Sequence, residues 1–351
     1  MGLFPKHRDL TRAVEEIELR VDASALRQRV EDVLVRLDRF LAQRLAWRSR
    51  TSIQELIHGG WVSVDAASPE RPGGSGEALV ERRPGRRLRH GTRIVVAIPP
   101  AHRVPAPRLA GDVVVLYEDA EVVALEKPAS LPVHPSGRHL GDSLIQRVHG
   151  RYAREIAAGE LLPRLCHRLD RETSGIVLVG KRRATHAFVM RQFEARTVTK
   201  EYFAIVRGEP EEEAGRIELP LALSRVSEIA LKMAVVADGA PARTDWQVVR
   251  RGADRALLRV RLHTGRQHQI RVHLAAIGHP VIGDKLYGPD EALFRRAIEG
   301  RLDERDRRSL ELDRHALHHC RLGFTTPDGA RRVEVESPLP PDLAAYLAER
   351  A

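Results

Sequence analysis

The N-terminal part of the chain shows helical periodicity and then strand-like runs. After a polar, helix-compatible stretch at 1–30, RLDRFLAQRL (36–45) repeats apolar residues at the spacing of one helix face. SRTSIQELIHGG (49–60) begins with a capping residue and ends on paired glycines, which predicts a second short helix. Apolar runs at 61–64 and 92–98 predict strands. Together these patterns predict a small α/β unit.

Strand patterns dominate the rest of the chain. Apolar runs at 112–119 and 121–127 are separated by an acidic turn and predict an antiparallel hairpin. Further strands are expected at 176–181, 202–208, 245–251 and 256–262, with helices near 183–196 and 266–277. No strand leads through a glycine-rich phosphate loop into a helix, which disfavours a dinucleotide-binding parallel sheet. We therefore predict an α+β fold with a mixed, largely antiparallel sheet flanked by helices.

A proline-rich stretch separates the two parts. PPAHRVPAPR (99–108) is typical of a stiff, extended linker. Between the N-terminal strands, roughly 25 residues form a connection longer than usual, which we interpret as an insertion. We expect four segments: an N-terminal arm (1–30), a small α/β domain (31–98), the linker (99–110) and a large α+β domain (111–351).

Positive charge is concentrated in two stretches. The formal net charge is +10 at pH 7. Residues 71–110 hold nine arginines and two glutamates, and residues 161–200 hold nine basic against three acidic residues. The remainder is slightly acidic, so the positive field is local, as binding to a phosphate backbone requires. We expect nucleic acid as the partner; for ERRPGRRLRH (81–90), a solvated loop is the alternative.

Motifs and segments that are absent from the sequence disfavour several classes of enzyme and bear on where the protein is located. G-x-x-x-x-G-K-[ST], H-E-x-x-H, G-x-S-x-G and EF-hand motifs are absent. No apolar run approaches the ~20 residues of a spanning helix, so no membrane partner is expected. Two cysteines, Cys166 and Cys320, are too few for a disulfide framework and favour the cytoplasm. In RHALHHC (314–320), ligand-type side chains at helical offsets form a zinc candidate, with hydrogen-bonded histidines as the alternative.

CHRLDRETSGIVLVGK (166–181) is the segment richest in candidate chemistry. Asp170 lies between Arg168 and Arg171, just before a Thr-Ser-Gly turn and a buried strand. A carboxylate between cations keeps a low pKa and stays ionised at neutral pH, as a nucleophile must. Asp170 is therefore a candidate catalytic carboxylate, and a cap or a surface ion pair is the alternative.

Two further segments supply an arginine and a tyrosine. In LHTGRQHQIRVHLAAIGHPVIGDKLYG (262–288), a helix is expected from near Arg266, with an apolar stripe of Ile270, Leu274 and Ile277 and a polar face of Gln267, His268 and Arg271. A buried Arg271 would need a carboxylate such as Asp170; a solvated face is the alternative. In KEYFAIVRG (200–208), Tyr202 either stacks on a nucleobase or belongs to the core.

Together these segments resemble the RluA-type pseudouridine synthase family over most of residues 111–345. The resemblance rests on motifs in the family's order: EKPASLPVHPSG (126–137), HRLDRETSG (167–175) with Lys181, KEYFAIVRG (200–208), GRQHQIRVHL (265–274) with GHPVIGDKLYG (278–288), and LHHCRLGFTTPDGARRVEVESPLPPDL (317–343). The block 36–98 is similar to the S-four-like RNA-binding domain that precedes many of these enzymes, with RRPGRRLR as a departure.

The resemblance implies a role for each site residue. Asp170 matches the catalytic aspartate, Tyr202 the aromatic residue that packs on the target base, and Arg271 the arginine paired with the aspartate. Arg168 matches the residue that enters the RNA stack when the base leaves. The remaining residues expected to bind substrate are Thr173, His268, Ile270 and Lys127.

The reaction implied is isomerisation of uridine in RNA to pseudouridine, without a cofactor or metal. It needs an ionised carboxylate, a flipped base in a closed pocket and an aromatic platform. Whether Asp170 attacks the ribose, attacks the uracil ring or abstracts a sugar proton stays open. The expected substrate is large-subunit ribosomal RNA, by analogy, and the expected state is a monomer. The alternatives are a non-catalytic RNA-binding or ribosome-assembly factor and a metal-dependent RNA hydrolase.

Overall fold

The computed structural model describes residues 16–26, 29–45, 50–100, 113–135, 142–327, 329 and 331–349. The predicted cap at residue 49, half of the N-terminal arm and most of the proline-rich linker lie outside these ranges. The chain divides into two compact units. Unit 1 comprises residues 1–109 with 135–142, and unit 2 comprises residues 110–134 with 143–351.

Unit 1 contains a four-stranded antiparallel sheet and short helices. Its elements are β1 (Glu16–Arg20), α1 (Ala23–Leu26), β2 (Val35–Arg36), α2 (Leu37–Arg44), α3 (Arg50–His58), β3 (Val62–Asp65), β4 (Leu79–Val80), β5 (Arg87–Leu88) and β6 (Arg93–Ala97). The strand order is β1-β6-β3-β4, and β2 pairs with β5. The two helices and two strands that the sequence predicts in this region are confirmed. The predicted helix stripe is buried in the core: Leu37, Phe40, Leu41 and Leu45.

The long stretch between β3 and β6 contributes two short strands to unit 1. Its interpretation as an insertion stays a prediction. β4 pairs with β3, and β5 pairs with β2, with Leu88 fully buried. The carbonyl groups of Pro84 and Arg86 accept hydrogen bonds from the first backbone N–H groups of α2. This turn therefore supplies acceptors for backbone N–H groups that have no partner within the helix. A sequence pattern dominated by arginine does not reveal this role.

Unit 2 is built on a ten-stranded sheet. Its elements are β7 (Val114–Glu118), β8 (Val122–Lys127), α4 (Leu144–Arg151), α5 (Ala153–Ala157), β9 (Arg164–Leu165), β10 (Ser174–Gly180), α6 (Arg183–Glu194), β11 (Thr199–Arg207), β12 (Ala214–Ile217), β13 (Leu221–Leu223), β14 (Met233–Val235), β15 (Thr244–Gly252), β16 (Arg255–Leu262), α7 (Gln269–Ala276), α8 (Ala292–Ile298), α9 (Glu304–Leu310), β17 (Leu317–Thr325), β18 (Arg332–Glu336) and α10 (Pro341–Ala348). β13 and β14 form a separate hairpin.

The large sheet has the order β12-β15-β16-β11-β17-β10-β8-β7, with β18 added to β17 and β9 to β10. Within the described strands, β10 and β17 are parallel and their neighbours pair in antiparallel fashion. The predicted mixed, largely antiparallel α+β fold is confirmed. All seven residues of β10 are buried, and α6 packs on this strand through Val189. None of the helices described combines the length and apolarity needed to cross a membrane.

The helix predicted near 266–277 is confirmed as α7, but it begins three residues later, at Gln269, because His268 has a left-handed backbone (φ 55°) that ends the preceding turn. RHALHHC does not form a helix: β17 begins at Leu317, and strand geometry replaces the helical offsets expected for its histidines.

The parallel contact between β10 and β17 requires a glycine at position 175. Gly175 pairs with His319 and has a φ of +111°. A Cβ atom built there would lie 2.3 Å from the carbonyl oxygen of His319. Gly278 has a similar backbone, with a φ of +89°, but a Cβ atom there would meet nothing within 4 Å.

These two glycines allow the steric requirement to be measured. Gly278→Ala should lower the free energy of unfolding by about 1–2 kcal/mol, the cost of a left-handed residue. Gly175→Ala should cost roughly 1–3 kcal/mol more, since two strands must also move apart. Urea denaturation of both variants provides the comparison. Equal losses would contradict the steric explanation.

Candidate active site

Asp170 occupies the turn that leads from β9 into β10. The backbone N–H of Thr173 donates to the carbonyl oxygen of Asp170 at 3.1 Å and closes the turn. The side chain of Asp170 is 26% exposed, so its carboxylate is largely buried but accessible from one side. A short loop before a fully buried strand thus presents the acid at the end of the sheet.

Arg271 reaches this carboxylate from α7. Its Nη1 atom donates to Oδ2 of Asp170 at 3.0 Å, although the two residues are 101 positions apart. The guanidinium is buried, since residues 269–274 of the helix are all buried. The predicted pairing of Arg271 with Asp170 is therefore confirmed, and the solvated helix face is wrong.

A second carboxylate, which sequence reasoning missed, completes the arrangement. Asp284 accepts hydrogen bonds from Nε and Nη2 of Arg271 at 2.6 and 2.8 Å. The backbone N–H groups of Leu286 and Tyr287 also donate to Asp284, at 2.9 and 3.0 Å. Asp284 lies in GHPVIGDKLYG, and the signal available was that a buried arginine with five donors needs more than one acceptor.

The charge of Arg271 keeps Asp170 ionised. Burial raises the pKa of the Asp170 carboxyl, but the surrounding charges, with the Arg271 guanidinium as the strongest of them, hold the pKa below its ordinary value. The sequence neighbours Arg168 and Arg171 are both exposed, and Arg171 lies 3.9 Å from Glu172. The expectation of a low pKa is thus correct in direction, whereas its source is a remote arginine.

His268 lies beside the same carboxylate as a neutral ring. Its Nε2 atom is 3.8 Å from Oδ2 of Asp170, and its Nδ1 atom shares a 2.8 Å hydrogen bond with the hydroxyl of Tyr287. Burial lowers the pKa of His268 to about 4. The imidazole therefore carries no charge at neutral pH and does not compete with Arg271 for Asp170.

Tyr202 on β11 is buried and stacks on a histidine. Its ring lies 4.5 Å from that of His319, with 17° between the planes, because the two residues are paired across β11 and β17. Burial, followed by the negative charge of Asp170, raises the pKa of the Tyr202 hydroxyl. The phenol is thus protonated and within the field of the carboxylate. Its role as a platform for a base stays a prediction.

Lys127 supports the backbone around the site. It is fully buried, and its Nζ atom donates to the carbonyl oxygens of Pro128, Leu131 and Arg171 at 2.8, 2.9 and 2.9 Å. Burial lowers its pKa to about 7, against the opposing charge of Asp170. The sequence predicted contact with substrate, whereas the donors of this ammonium are directed to backbone carbonyl groups.

The other three residues predicted to bind substrate occupy different environments. Thr173 is buried and its Oγ1 atom shares a 2.7 Å hydrogen bond with Nε2 of His315. Ile270 is buried on α7, next to Arg271. Arg168 is exposed, so its side chain is accessible to RNA. Binding by these three residues stays a prediction.

The histidines of RHALHHC are used in hydrogen bonds between strands and loops. His318 bonds to the hydroxyls of Ser174 and Ser337 at 2.9 and 3.0 Å, and His319 bonds to the carbonyl oxygen of Ile176 at 2.7 Å. Within the described ranges, no three His, Cys, Asp or Glu side chains are grouped as metal ligands would be. The hydrogen-bonded alternative describes these histidines.

Comparisons with known proteins show the family to which the chain belongs. The sequence model of the RNA pseudouridylate synthase family matches residues 121–276, a range that contains Asp170, Tyr202 and Arg271. An uncharacterized RNA pseudouridine synthase of Chloroflexus aurantiacus is 37% identical over 317 residues, which cover 90% of this chain and 89% of the relative. The ribosomal large subunit pseudouridine synthase D of Zymomonas mobilis is 32% identical over 88% of this chain and 91% of its own length.

A solved structure supports the same relationship. Human RNA pseudouridylate synthase domain containing 1 superposes with a TM-score of 0.53 at 27% identity, over 67% of this chain and 87% of that chain. The fold and the relatives define an RNA-modifying isomerase. The chain belongs to the RNA pseudouridylate synthase family, in its RluA-like branch, and is an RNA pseudouridine synthase. The predicted family and enzyme class are confirmed, and the non-catalytic factor and the metal-dependent hydrolase are set aside.

The geometry of Arg271 predicts that charge alone does not replace it. Arg271→Lys keeps the positive charge but loses the planar fork that contacts two carboxylates. Turnover should fall at least tenfold, which corresponds to about 1.4 kcal/mol. Steady-state pseudouridine formation measures the effect.

Arg255 provides a matched control. It is another largely buried arginine, and it pairs with Glu311 at 2.9 Å, away from the residues described above. Arg255→Lys should leave turnover within about twofold of the unmodified enzyme. Similar losses in both variants would indicate a general effect of removing a buried guanidinium.

Proposed function

We propose that this enzyme isomerises specific uridines in large-subunit ribosomal RNA and that Asp170 is its essential catalytic carboxylate. The observation that carries the proposal is the asymmetric use of the two oxygens of Asp170. Oδ2 accepts the hydrogen bond from Arg271, while Oδ1 accepts none from the described part of the chain. An ionised oxygen that is accessible and not engaged by a donor is what a nucleophile or a base requires.

The reaction begins with a uridine flipped into the site. Tyr202 packs on the extruded base, and Arg168 enters the space that it leaves. The carbon–nitrogen bond between the ribose and the base breaks, the base turns, and it rejoins the ribose through one of its ring carbons, which loses its proton while the freed ring nitrogen gains one. Asp170 acts by attacking the ribose, attacking the uracil ring or abstracting a sugar proton. All three routes start from a carboxylate kept ionised by Arg271.

The choice of ribosomal RNA is supported by the names of relatives. Proteins of Zymomonas mobilis and Nitrosomonas europaea named ribosomal large subunit pseudouridine synthase D match 88% and 89% of this chain. These matches extend well beyond the catalytic motifs. A large structured RNA also suits an enzyme with a separate unit for binding.

Residues 31–98 are proposed to form an S-four-like RNA-binding domain. Asp38, fully buried, accepts hydrogen bonds from Arg36 and Arg50, and thereby fixes two arginines from neighbouring elements. Close in sequence to the turn that caps α2, further arginines are exposed: Arg82, Arg83, Arg87 and Arg89. Arginines held on short, packed elements position phosphates without reading sequence. The proposal gives unit 1 the task of placing RNA and unit 2 the chemistry.

The essential role of Asp170 is tested by Asp170→Asn. The substitution keeps the shape but removes the negative charge, so RNA binding should persist or tighten slightly because repulsion of phosphate is relieved. Pseudouridine formation should become undetectable. Binding at fixed salt and product analysis by RNA digestion and chromatography are measured on one preparation.

Asp238→Asn controls for the loss of a charge as such. Asp238 is two-thirds exposed and pairs with Arg225 on the surface. The control should isomerise RNA at the normal rate. Retained isomerisation in Asp170→Asn would refute the catalytic role, and joint loss of binding and activity would indicate a structural carboxylate.

The role of unit 1 is tested by salt dependence. Replacing Arg83, Arg87 and Arg89 by Gln should lower the slope of log affinity against log salt by about 2 to 3, if each arginine neutralises one phosphate. The chemical step at saturating RNA should be unchanged. The matched control replaces three exposed arginines of unit 2, one just before α9 and two within it, namely Arg301, Arg305 and Arg308. An unchanged slope in the first variant would contradict the proposal.

A further inference from the structure

Glu172 connects the turn that carries Asp170 to a second loop. Its two carboxylate oxygens accept hydrogen bonds from Nζ of Lys285 at 2.9 and 3.0 Å. The backbone N–H of His315 donates to the same carboxylate at 3.2 Å. The side chains of Lys285 and Glu172 are only 11% and 17% exposed, so solvent screens this pair weakly. Glu172 is therefore held in place from outside its own turn.

Lys285 directly follows Asp284, the residue that orients Arg271. One dipeptide thus contacts both sides of the reacting pair: Asp284 holds the guanidinium, and Lys285 holds the turn that carries Asp170. The dipeptide is itself anchored, because Asp284 is buried and accepts two backbone hydrogen bonds, and Lys285 also donates to the carbonyl oxygen of Asp313 at 2.6 Å. These contacts with the backbone fix the position of the dipeptide independently of Glu172.

This connection matters because a single hydrogen bond joins Asp170 to Arg271. A carboxylate at the edge of a turn can swing if the turn shifts, and a displacement of about 1 Å at a reacting group can cost on the order of a hundredfold in rate. Lys127 restrains the turn through the carbonyl group of Arg171, whereas Lys285 is the restraint that is shared with the Arg271 side.

We propose that Lys285 is a positioning residue, which through its ion pair with Glu172 keeps the turn of Asp170 aligned with Arg271. The inference rests on the proposed role of Asp170 and extends it to two residues that do not touch the substrate. Lys285 acts through Glu172, and neither side chain contributes to the bonds that form or break.

The test uses the full-length enzyme in single-turnover assays with saturating RNA, alongside RNA dissociation constants. Lys285→Met and Glu172→Gln should each slow the single-turnover rate about tenfold, since a modest displacement of Asp170 is expected. The dissociation constants should change less than about twofold, because phosphate contacts remain. The double variant should be no slower than the slower single variant, because the two residues act as one unit. Lys285→Arg, which restores a cation with two donors, should recover most of the rate.

Lys181 provides a closely matched control. Its Nζ atom pairs with Glu118 at 2.7 Å and also donates to a backbone carbonyl group, that of Asp119, as Lys285 does at its own site. Lys181→Met removes an equivalent buried ammonium whose partners are Glu118 and Asp119, outside the turn that carries Asp170. Its single-turnover rate should stay normal even where thermal unfolding shows the same loss of stability as in Lys285→Met.

The possible outcomes separate this inference from the proposed function. A normal rate in Lys285→Met, equal slowing in Lys181→Met, or multiplying losses in the double variant would each overturn the positioning role. If Lys285→Met does not fold, Glu172→Gln and Lys285→Arg decide by the same criteria. Isomerisation by Asp170→Asn would instead overturn the role of Asp170 itself. An inactive Asp170→Asn beside a fully active Lys285→Met would reject the positioning role alone.

Discussion

The burial of one guanidinium constrains the whole catalytic end of unit 2. A buried Arg271 without carboxylate partners would be strongly destabilising, and its five donors exceed what one carboxylate accepts. Asp284 takes two of them and is itself fixed by backbone N–H groups, so it supplies the structural half of the compensation. Asp170 takes a third and remains partly exposed. Because Asp284 accepts two of the hydrogen bonds that Arg271 donates, Asp170 accepts only one, through Oδ2.

The sheet explains how distant segments meet at this point. β10 and β17 run side by side in parallel, and the strand partner of β17, β11, brings Tyr202 opposite His319. The stacked rings are thus a consequence of strand register. Long-range contact is needed at every step, so the site forms only when the tertiary structure does.

How far the sequence predicts this arrangement depends on the range of the interaction. Period and alternation predicted α2, α3, α6 and α7 and fewer than half of the described strands. The rule that a buried charge needs a partner predicted the pair of Asp170 and Arg271. Asp284 was missed because it lies in a loop, where no period relates it to Arg271. The start of α7 was missed because His268 has a left-handed backbone. In a sequence, that conformation is signalled reliably by glycine and asparagine and not by histidine. The strand position of His318 was missed because spacing alone does not separate a strand from a helix.

The segment HRLDRE also accommodates two opposing electrostatic requirements of an RNA-modifying enzyme. Binding a polyanion requires positive charge at the surface, whereas the proposed catalytic group, Asp170, is an anion that repels phosphate. Arg168 and Arg171 point outward and are exposed, while Asp170 and Glu172 pair inward with Arg271 and Lys285. Exposed cations and inward-paired anions are therefore interspersed within one short segment. The buried cations compensate the charges of Asp170 and Glu172. The exposed surface of the segment therefore stays positively charged, and Asp170 stays ionised.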